Sequence, residues 1–311
     1  MCATCGCEGD AKTTMLNLQT GAETAISGGH DPHEHVHADG TRHSHVHDHA
    51  DAHSHENETR HHGHDHSDDG HHHDHAEPHV HDHAHAPAGE VHAIERRILA
   101  KNDALASKIR AWLAGREILA VNLVSSPGSG KTTLLERTIP GLTDEVPLFV
   151  IEGDQASSND GKRIRSAGAP VVQINTGTGC HLDAEMIARG LSELKPVPGS
   201  IVFIENVGNL VCPALFDLGE RAKVVIFSAT EGEDKPLKYP HMFSAATLII
   251  LNKSDLLPHL DFSVEQAIAN VRRVNPNATM LQISARTGEG LDAWFAWIRG
   301  LTVEARQFGF V

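Results

Sequence analysis

A doubly wound, mostly parallel α/β sheet behind a disordered, histidine-rich tail is the architecture this 311-residue sequence predicts. Three observations carry that prediction. Of the 26 histidines, 23 fall between His30 and His92. From about Ala93 onward, short β-branched runs alternate with stretches of helical periodicity. Several of those runs are apolar on both faces, as strands of a parallel sheet covered by helices on both sides must be.

The tail divides into two parts. Residues 1–29 form an N-terminal cysteine segment: Cys2, Cys5 and Cys7 lie within the first ten residues, and 11–29 reads as a short polar connector. Residues 30–92 are a low-complexity tract of His, Asp, Ala and Gly. Residues 1–92 hold 17 acidic and 3 basic side chains, so they carry −14 of the chain's net charge of −15. With almost no aliphatic or aromatic material, burial cannot offset the entropy of ordering, and the tract is expected to stay disordered without metal. Residues 93–311 are long enough for one α/β domain with a sizeable core.

Within that domain, Ile94, Ile98, Leu105, Ile109 and Trp112 recur at helical spacing, which predicts an amphipathic helix over 93–114. Strands are expected at 118–124, 148–151, 171–174, 201–205, 224–228, 248–251 and 280–283. Helices are expected at 131–139, 183–193, 264–274 and 291–301. No apolar run reaches the length of a membrane-spanning helix. The acidic balance, without clustered Lys and Arg, argues against nucleic acid as a partner. MCATCGCEGD has neither a basic nor an apolar signal region, so a cytoplasmic location with reduced thiols is expected.

The stretch that decides the chemistry is Val121 to Thr133, VNLVSSPGSGKTT. An apolar strand runs into a glycine-rich turn, and a helix starts at Lys131. Gly128, Ser129 and Gly130 let backbone N–H groups converge on phosphate oxygens. Lys131 is expected to reach the β and γ phosphates and, together with magnesium, to carry most of the catalysis. The Thr132 hydroxyl is expected to ligate magnesium, with Thr133 beside it. The usual P-loop pattern G-x-x-x-x-G-K-[ST] wants glycine where this chain has Ser125. Downstream, Asn252, Lys253 and Asp255 form N-K-x-D at a strand end, resembling the guanine-specificity motif of G proteins. The Asp255 carboxylate can accept from the guanine N1–H and exocyclic amine, a pattern adenine lacks. Ser284 and Ala285 resemble the second base-binding loop, so GTP is favoured over ATP. Magnesium needs further hard oxygen ligands, and Asp154 and Glu205 sit at strand ends where ligands of open α/β sheets bind. Asp154 is also the candidate for orienting the attacking water.

Three sets of soft or borderline donors point to transition metals. Cys2, Cys5 and Cys7 can wrap one ion without a fold around them. In the tract, His33, His35 and His37, then His43, His45, His47 and His49, then His71, His73 and His75, then His79, His81, His83 and His85 alternate. In an extended chain, residues two apart share a side. Imidazole suits nickel, zinc and copper alike, so the tract signals a metal store without naming the metal. Cys180, His181 and Cys212 fall in loops after two strands, on the phosphate-bearing edge of the sheet. His241 and His259 read as ordinary surface or capping residues.

Taken together, CxxCxC, the His-rich insert, SPGSGKTT, EGD, NTGTGCHLD, FIENVGNLVCP and NKSD resemble the HypB family of hydrogenase maturation GTPases, within the SIMIBI class of P-loop proteins. The resemblance covers the whole G domain and the N-terminal cysteines. It implies a nickel-delivering GTPase for the large-subunit precursor of [NiFe]-hydrogenase, a HypA-type accessory partner, and homodimerisation on GTP binding. It also implies a tight nickel site at Cys2, Cys5 and Cys7, and a weaker nickel or zinc site at Cys180, His181 and Cys212. Ser125 matches the family's own form of the phosphate loop. The alternatives are a urease-type nickel GTPase, disfavoured by CxxCxC and the GCH…C spacing, and a non-enzymatic nickel store. If the tract is the store, deleting 30–92 removes most of the bound nickel while GTP turnover stays within about twofold of wild type; unchanged nickel stoichiometry by equilibrium dialysis refutes that role.

Overall fold

The computed structural model describes residues 13–26, 33–36, 42–45, 88–155 and 157–308. Two units separate, one of residues 27–88 and one of 1–26 with 89–311. In the smaller unit, β3 (His33–Val36) and β4 (Arg42–His45) pair antiparallel, with His33 opposite His45 and His35 opposite His43. The remaining histidines between His37 and His85 named above lie outside the described residues, as do Cys2, Cys5 and Cys7.

The larger unit is a nine-stranded sheet. In chain order its strands are β1 (Thr14–Asn17), β2 (Glu23–Ala25), β5 (Leu119–Ser125), β6 (Leu148–Asp154), β7 (Val171–Asn175), β8 (Ile201–Glu205), β9 (Ala222–Ser228), β10 (Leu248–Asn252) and β11 (Thr279–Gln282). Their spatial order is β11-β10-β9-β5-β8-β6-β7-β1-β2. Strands β5 to β11 are all parallel, and β1 and β2 extend the β7 edge antiparallel. The chain builds outward from β5 through β6 to β7, returns to β8, then continues on the other side of β5. Strand order thus reverses around β5, and in such sheets the crevice beyond the carboxyl ends is where ligands bind.

Both faces are covered. On one, α2 (Lys131–Leu142), α3 (Asn159–Ser166) and α8 (Leu291–Phe308) pack Leu134, Leu135, Ile139, Ile164, Trp294 and Ile298 onto Leu119, Val121, Leu123 and Phe203. On the other, α1 (Ala88–Ala114) and α4 (Ala184–Leu194) bring Ile109, Leu113, Ile187 and Leu191 against Ala120, Ile151 and Val202. There too α6 (Pro240–Ser244) and α7 (Val264–Val274), with α5 (Lys235–Lys238) alongside, cover Val124, Phe227 and Leu251. The alternation along β5 explains the split: odd positions serve one core and even ones the other. No described helix is long and apolar enough to cross a membrane.

The structure departs from the sequence expectation at 11–29, which is not merely a connector. Met15 and Leu18 are buried, one against each face of the sheet. Asn17 accepts from the backbone N–H of Gln19 and Thr20 and donates to Glu193, closing the turn into β2. A four-residue strand with so few apolar side chains has no readable period. Helix α3 also escaped the sequence reading, because only Gly161 and Ile164 of it are buried.

Trp294 is fully buried and its Nε1 donates to Thr138 Oγ1 at 2.9 Å, tying α8 to α2. Trp294→Ala should lower unfolding free energy by about 3–5 kcal/mol, read from the urea midpoint; a loss below about 1 kcal/mol would place the ring outside the cooperative core.

Candidate nucleotide and metal site

The turn between β5 and α2 is built for close approach of backbone. Gly128 and Gly130 have φ of 74° and 98°, and a Cβ on Gly130 would sit 2.4 Å from Asn252 Nδ2. Asn252 Nδ2 donates to Ser129 O at 2.8 Å, and its Oδ1 accepts from Ala285 N at 3.1 Å. One amide from N-K-x-D therefore ties the phosphate loop to the second base-binding loop. There Ser284 Oγ donates to Asp255 Oδ1 at 2.6 Å, which aligns the carboxylate. Lys253 takes a left-handed φ of 60° as the chain leaves β10. Thr133 accepts from Arg163 Nη2 at 3.2 Å.

Lys131 is buried, and its Nζ donates to Ser125 Oγ at 2.8 Å. The serine in place of glycine thus gives the lysine an acceptor inside the loop. Thr132 Oγ1 donates to Glu205 Oε1 at 2.7 Å, while Glu205 Oε2 is buried without a hydrogen bond. Glu152 lies opposite Glu205 in the β6–β8 register, and its Oε2 is likewise buried and unpartnered. A hydroxyl and two orphaned carboxyl oxygens are hard donors, and they suit magnesium.

Cys180 and His181 follow β7; Cys212 begins a short 3-10 turn after β8. The two sulfurs are 2.9 Å apart, and Cys180 Sγ is 3.7 Å from His181 Nδ1. All three ligand atoms lie within 4.8 Å of one another. The loops are pinned to the strand ends: Asn206, next to Glu205, accepts from Leu182 N at 3.1 Å, and Asn209 Nδ2 donates to Cys180 O at 3.3 Å. A Cβ on Gly208 would stand 3.0–3.1 Å from Pro127, so the loop bearing Cys212 packs directly on the phosphate loop. The sulfur cluster and Lys131 share one rim.

Residues 119–282 match the family model described as CobW/HypB/UreG, nucleotide-binding domain. The hydrogenase maturation factor HypB of Rhizobium leguminosarum bv. viciae is 61% identical over 205 residues, covering 66% of this chain and 69% of the relative. The chain belongs to the HypB family of hydrogenase maturation factors. The HypB of Escherichia coli K12 is 59% identical over 205 residues, covering 66% of this chain and 71% of the relative. The HypB crystal structure from Archaeoglobus fulgidus aligns with a TM-score of 0.61 at 40% identity, over 65% of this chain and 99% of that one. HypB from Helicobacter pylori, solved in complex with nickel, aligns with a TM-score of 0.61 at 35% identity, over 66% and 96%. The HypB fold of P-loop GTPases is thereby shown, mostly parallel sheet included.

Asp154, expected at the magnesium site, and Glu152, which the sequence reading did not name, both lie on β6. Asp154 spends its carboxylate on a turn, accepting from Gln155 N, Ser157 N and Ser157 Oγ at 2.6–3.0 Å. Glu152, two residues earlier on the same face of β6, adds an orphaned buried oxygen. A charged residue inside an otherwise apolar strand was the available signal. Glu231 was also missed, and no motif marks it. It caps its own turn through Ser228 N, accepts from Ser129 Oγ at 2.6 Å, and pairs with Lys235 at 2.9 Å. Burial works to raise its carboxyl, but those hydrogen bonds outweigh it and hold the group below its ordinary value.

Burial pushes Glu205 up to about 7, opposed by Lys131, and pushes Glu152 up to about 9, reinforced by Glu205. Burial pulls the Lys131 ammonium down, with Glu205 opposing. His181 is lowered by burial too, which favours the neutral imidazole that ligates metal. Both glutamates keep, in the folded chain, protons that the unfolded chain releases above its ordinary value near 4.5. Their contribution to stability is therefore full below that value and is lost as pH rises, through about 7 for Glu205 and about 9 for Glu152. Without divalent cations, the urea midpoint should fall between about pH 5 and pH 9, and Glu152→Gln should flatten the part above about pH 7. A variant that keeps the wild-type slope shows Glu152 to be ionised in the fold.

Proposed function

We propose that this chain is a GTP-hydrolysing nickel carrier in the cytoplasm, serving maturation of the [NiFe]-hydrogenase large-subunit precursor. The observation that carries the proposal is the shared rim: Glu205 meets Thr132 of the phosphate loop, and its neighbour Asn206 holds the residue after His181. Whatever moves the end of β8 acts on both sites.

GTP binds with its phosphates in the turn of Gly128, Ser129, Gly130, Lys131, Thr132 and Thr133, and its base against Asn252, Lys253, Asp255, Ser284 and Ala285. Lys131 leaves Ser125 for the phosphates and neutralises charge as it spreads over the transferred group. Glu231 holds Ser129 in place meanwhile. Thr132, Glu205 and Glu152 would hold magnesium, with Asp154 shaping the adjacent loop; when bound, the ion neutralises charge on the phosphate oxygens. Nickel is cargo. The tract and Cys2, Cys5 and Cys7 collect it, and Cys180, His181 and Cys212 hold it where nucleotide state is felt, with zinc as the competing ion. GTP binding closes a homodimer, and a HypA-type accessory protein is the proposed partner in transfer.

Lys131→Ala should lower kcat for GTP about 10²–10³-fold, the usual cost of removing one preorganised charge donor. In the same protein, nickel affinity at the Cys180–Cys212 site should differ between GDP and a non-hydrolysable GTP analogue by at least about fivefold. Equal affinities would mean that hydrolysis does not drive release. Turnover unaffected by Lys131→Ala would leave a nickel store whose G domain only binds nucleotide.

A further inference from the structure

In the sequence, the whole His tract separates Cys2, Cys5 and Cys7 from the G domain. In the fold, the hairpin of β1 and β2 joins the sheet before the tract begins. β1 runs antiparallel to β7, with Thr14 opposite Asn175 and Asn17 opposite Val172, so its first residue lies at the carboxyl end of β7. β2 returns alongside with Ala25 opposite Thr14, and Ile26 N donates to Thr13 O at 2.8 Å. The segment bearing the three cysteines therefore enters the sheet, and the tract leaves it, at the rim that carries Cys180 and Lys131. The hairpin is well anchored for its size. Met15 is buried in the core beneath α1 and α4, with Ile26 packed against that core. Leu18 is buried on the other face, where a Cβ on Gly161 of α3 would stand 2.6 Å from its Cδ1. Gly21, at a φ of 75°, lets the turn close with its N–H on Asn17 O at 2.8 Å.

Covalent geometry bounds the distance that remains. After Asn175 the chain folds back, Gly179 N donating to Thr176 O at 2.9 Å, and Cys180 follows at once. Antiparallel partners stand about 5.5 Å apart, turn ends lie within about 7 Å and successive Cα atoms about 3.8 Å, so Thr14 and Cys180 are separated by no more than about 20 Å. Cys7 precedes Thr14 by seven positions, which span about 23 Å when extended. Cys7 thus reaches Cys180 of its own chain, and Cys212 with it, because those two sulfurs are 2.9 Å apart. A tether this short gives an effective concentration on the order of millimolar.

We propose that the β1–β2 hairpin docks the N-terminal cysteine segment at the rim, so that nickel passes directly between Cys2, Cys5 and Cys7 and the Cys180, His181 and Cys212 set of the same chain, without release to solvent. The inference rests on the reading of both sets as nickel sites and adds the route between them. The step is ligand exchange: a nickel–sulfur bond to one set breaks as a bond to the other forms. Each incoming thiol gives its proton to solvent, each departing thiolate takes one up, and nickel stays Ni(II) throughout. Because soft donors replace soft donors, the ion is never left to water alone.

The test follows loss of thiolate-to-nickel charge-transfer absorption after excess EDTA is added to the full-length chain carrying one equivalent of nickel. GDP is present, so that no GTP-closed dimer supplies cysteines from a second copy. EDTA traps any released ion, so the second set can speed removal only by direct exchange. The parent is compared with Cys180→Ser/Cys212→Ser, with four EAAAK repeats inserted between Asp10 and Ala11, and with a Gly/Ser insert of equal length at the same place. The helical insert, about 30 Å long, carries the cysteines away from the rim and leaves the hairpin and both ligand sets intact, whereas the flexible one lets them return. Nickel should leave the parent at least about tenfold faster than it leaves the double variant, at a rate independent of protein concentration. The helical insert should reproduce the slow loss, and the flexible insert should stay within about threefold of the parent. A parent rate that equals the double variant's, rises with protein concentration or survives the helical insert overturns the inference while both nickel sites stand; so does a flexible insert as slow as the helical one. Nickel capacity unchanged by Cys180→Ser/Cys212→Ser, or by Cys2→Ser/Cys5→Ser/Cys7→Ser, overturns the reading of that set as a site and the inference with it.

Discussion

The register between β5, β6 and β8 is the constraint on which the rest depends. Leu123 stands opposite Glu205, and Glu205 opposite Glu152. That places two buried carboxyls beside the first turn of α2, where Lys131 and Thr132 emerge. A slip of one residue would turn both carboxyls to the opposite face and bring Ile204 to the phosphate side. The apolar alternation guards against it, because the same slip would exchange the two cores on either side of the sheet. Hydrophobic packing thus fixes the position of groups that are themselves unfavourable to bury.

Those groups define how the phosphate loop is held. Lys131 has a hydroxyl acceptor in Ser125, Ser129 has Glu231, and the loop carbonyl at Ser129 has Asn252. Each contact is one that phosphate can replace or reinforce without rebuilding the turn. The orphaned oxygens of Glu205 and Glu152 are different, because no donor among the described residues reaches them. Leaving a buried acceptor unsatisfied costs about 1–3 kcal/mol, and a retained proton eases it only in part. In the proposed magnesium site, a divalent cation would remove the deficit. Stability given up in the fold would thereby be converted to affinity for the charged ligand.

Much of this was legible in the sequence, and the reasons are physical. The strand expected at 201–205 and the helix expected at 264–274 coincide with observed elements because buried parallel strands and amphipathic helices leave strong periods. The glycine turn, GKT and NKSD declare themselves because phosphate and guanine each demand particular atoms at fixed spacing. Cys180, His181 and Cys212 could be assigned to one edge from topology alone, although 32 residues separate the sulfurs. The rest depends on register or on small contacts. Choosing Glu152 over Asp154 requires knowing which carboxylate the turn at Ser157 consumes. Glu231 reaches Ser129 across 102 residues with no pattern to announce it. The β1–β2 hairpin rests on Met15, Leu18 and one asparagine turn, too little for any period to show.

On the function proposed above, one rim serves ions of different character. The phosphate side is lined by hard oxygens on rigid elements, a strand interior and a helix start. The sulfur side is carried on loops, where Gly179 folds back on Thr176 and Val211 and Leu215 are exposed. Hard cations exchange with water and tolerate a fixed cage, whereas a cargo ion must be both gripped and surrendered. Between them stands a pair of neighbours, Glu205 bonded to Thr132 and Asn206 bonded to Leu182 N. A rotation of that strand end by a fraction of an ångström changes hydrogen bonds on both sides at once. Because packed interiors shift between discrete arrangements rather than bending smoothly, such a junction can link phosphate chemistry to the spacing of two sulfurs.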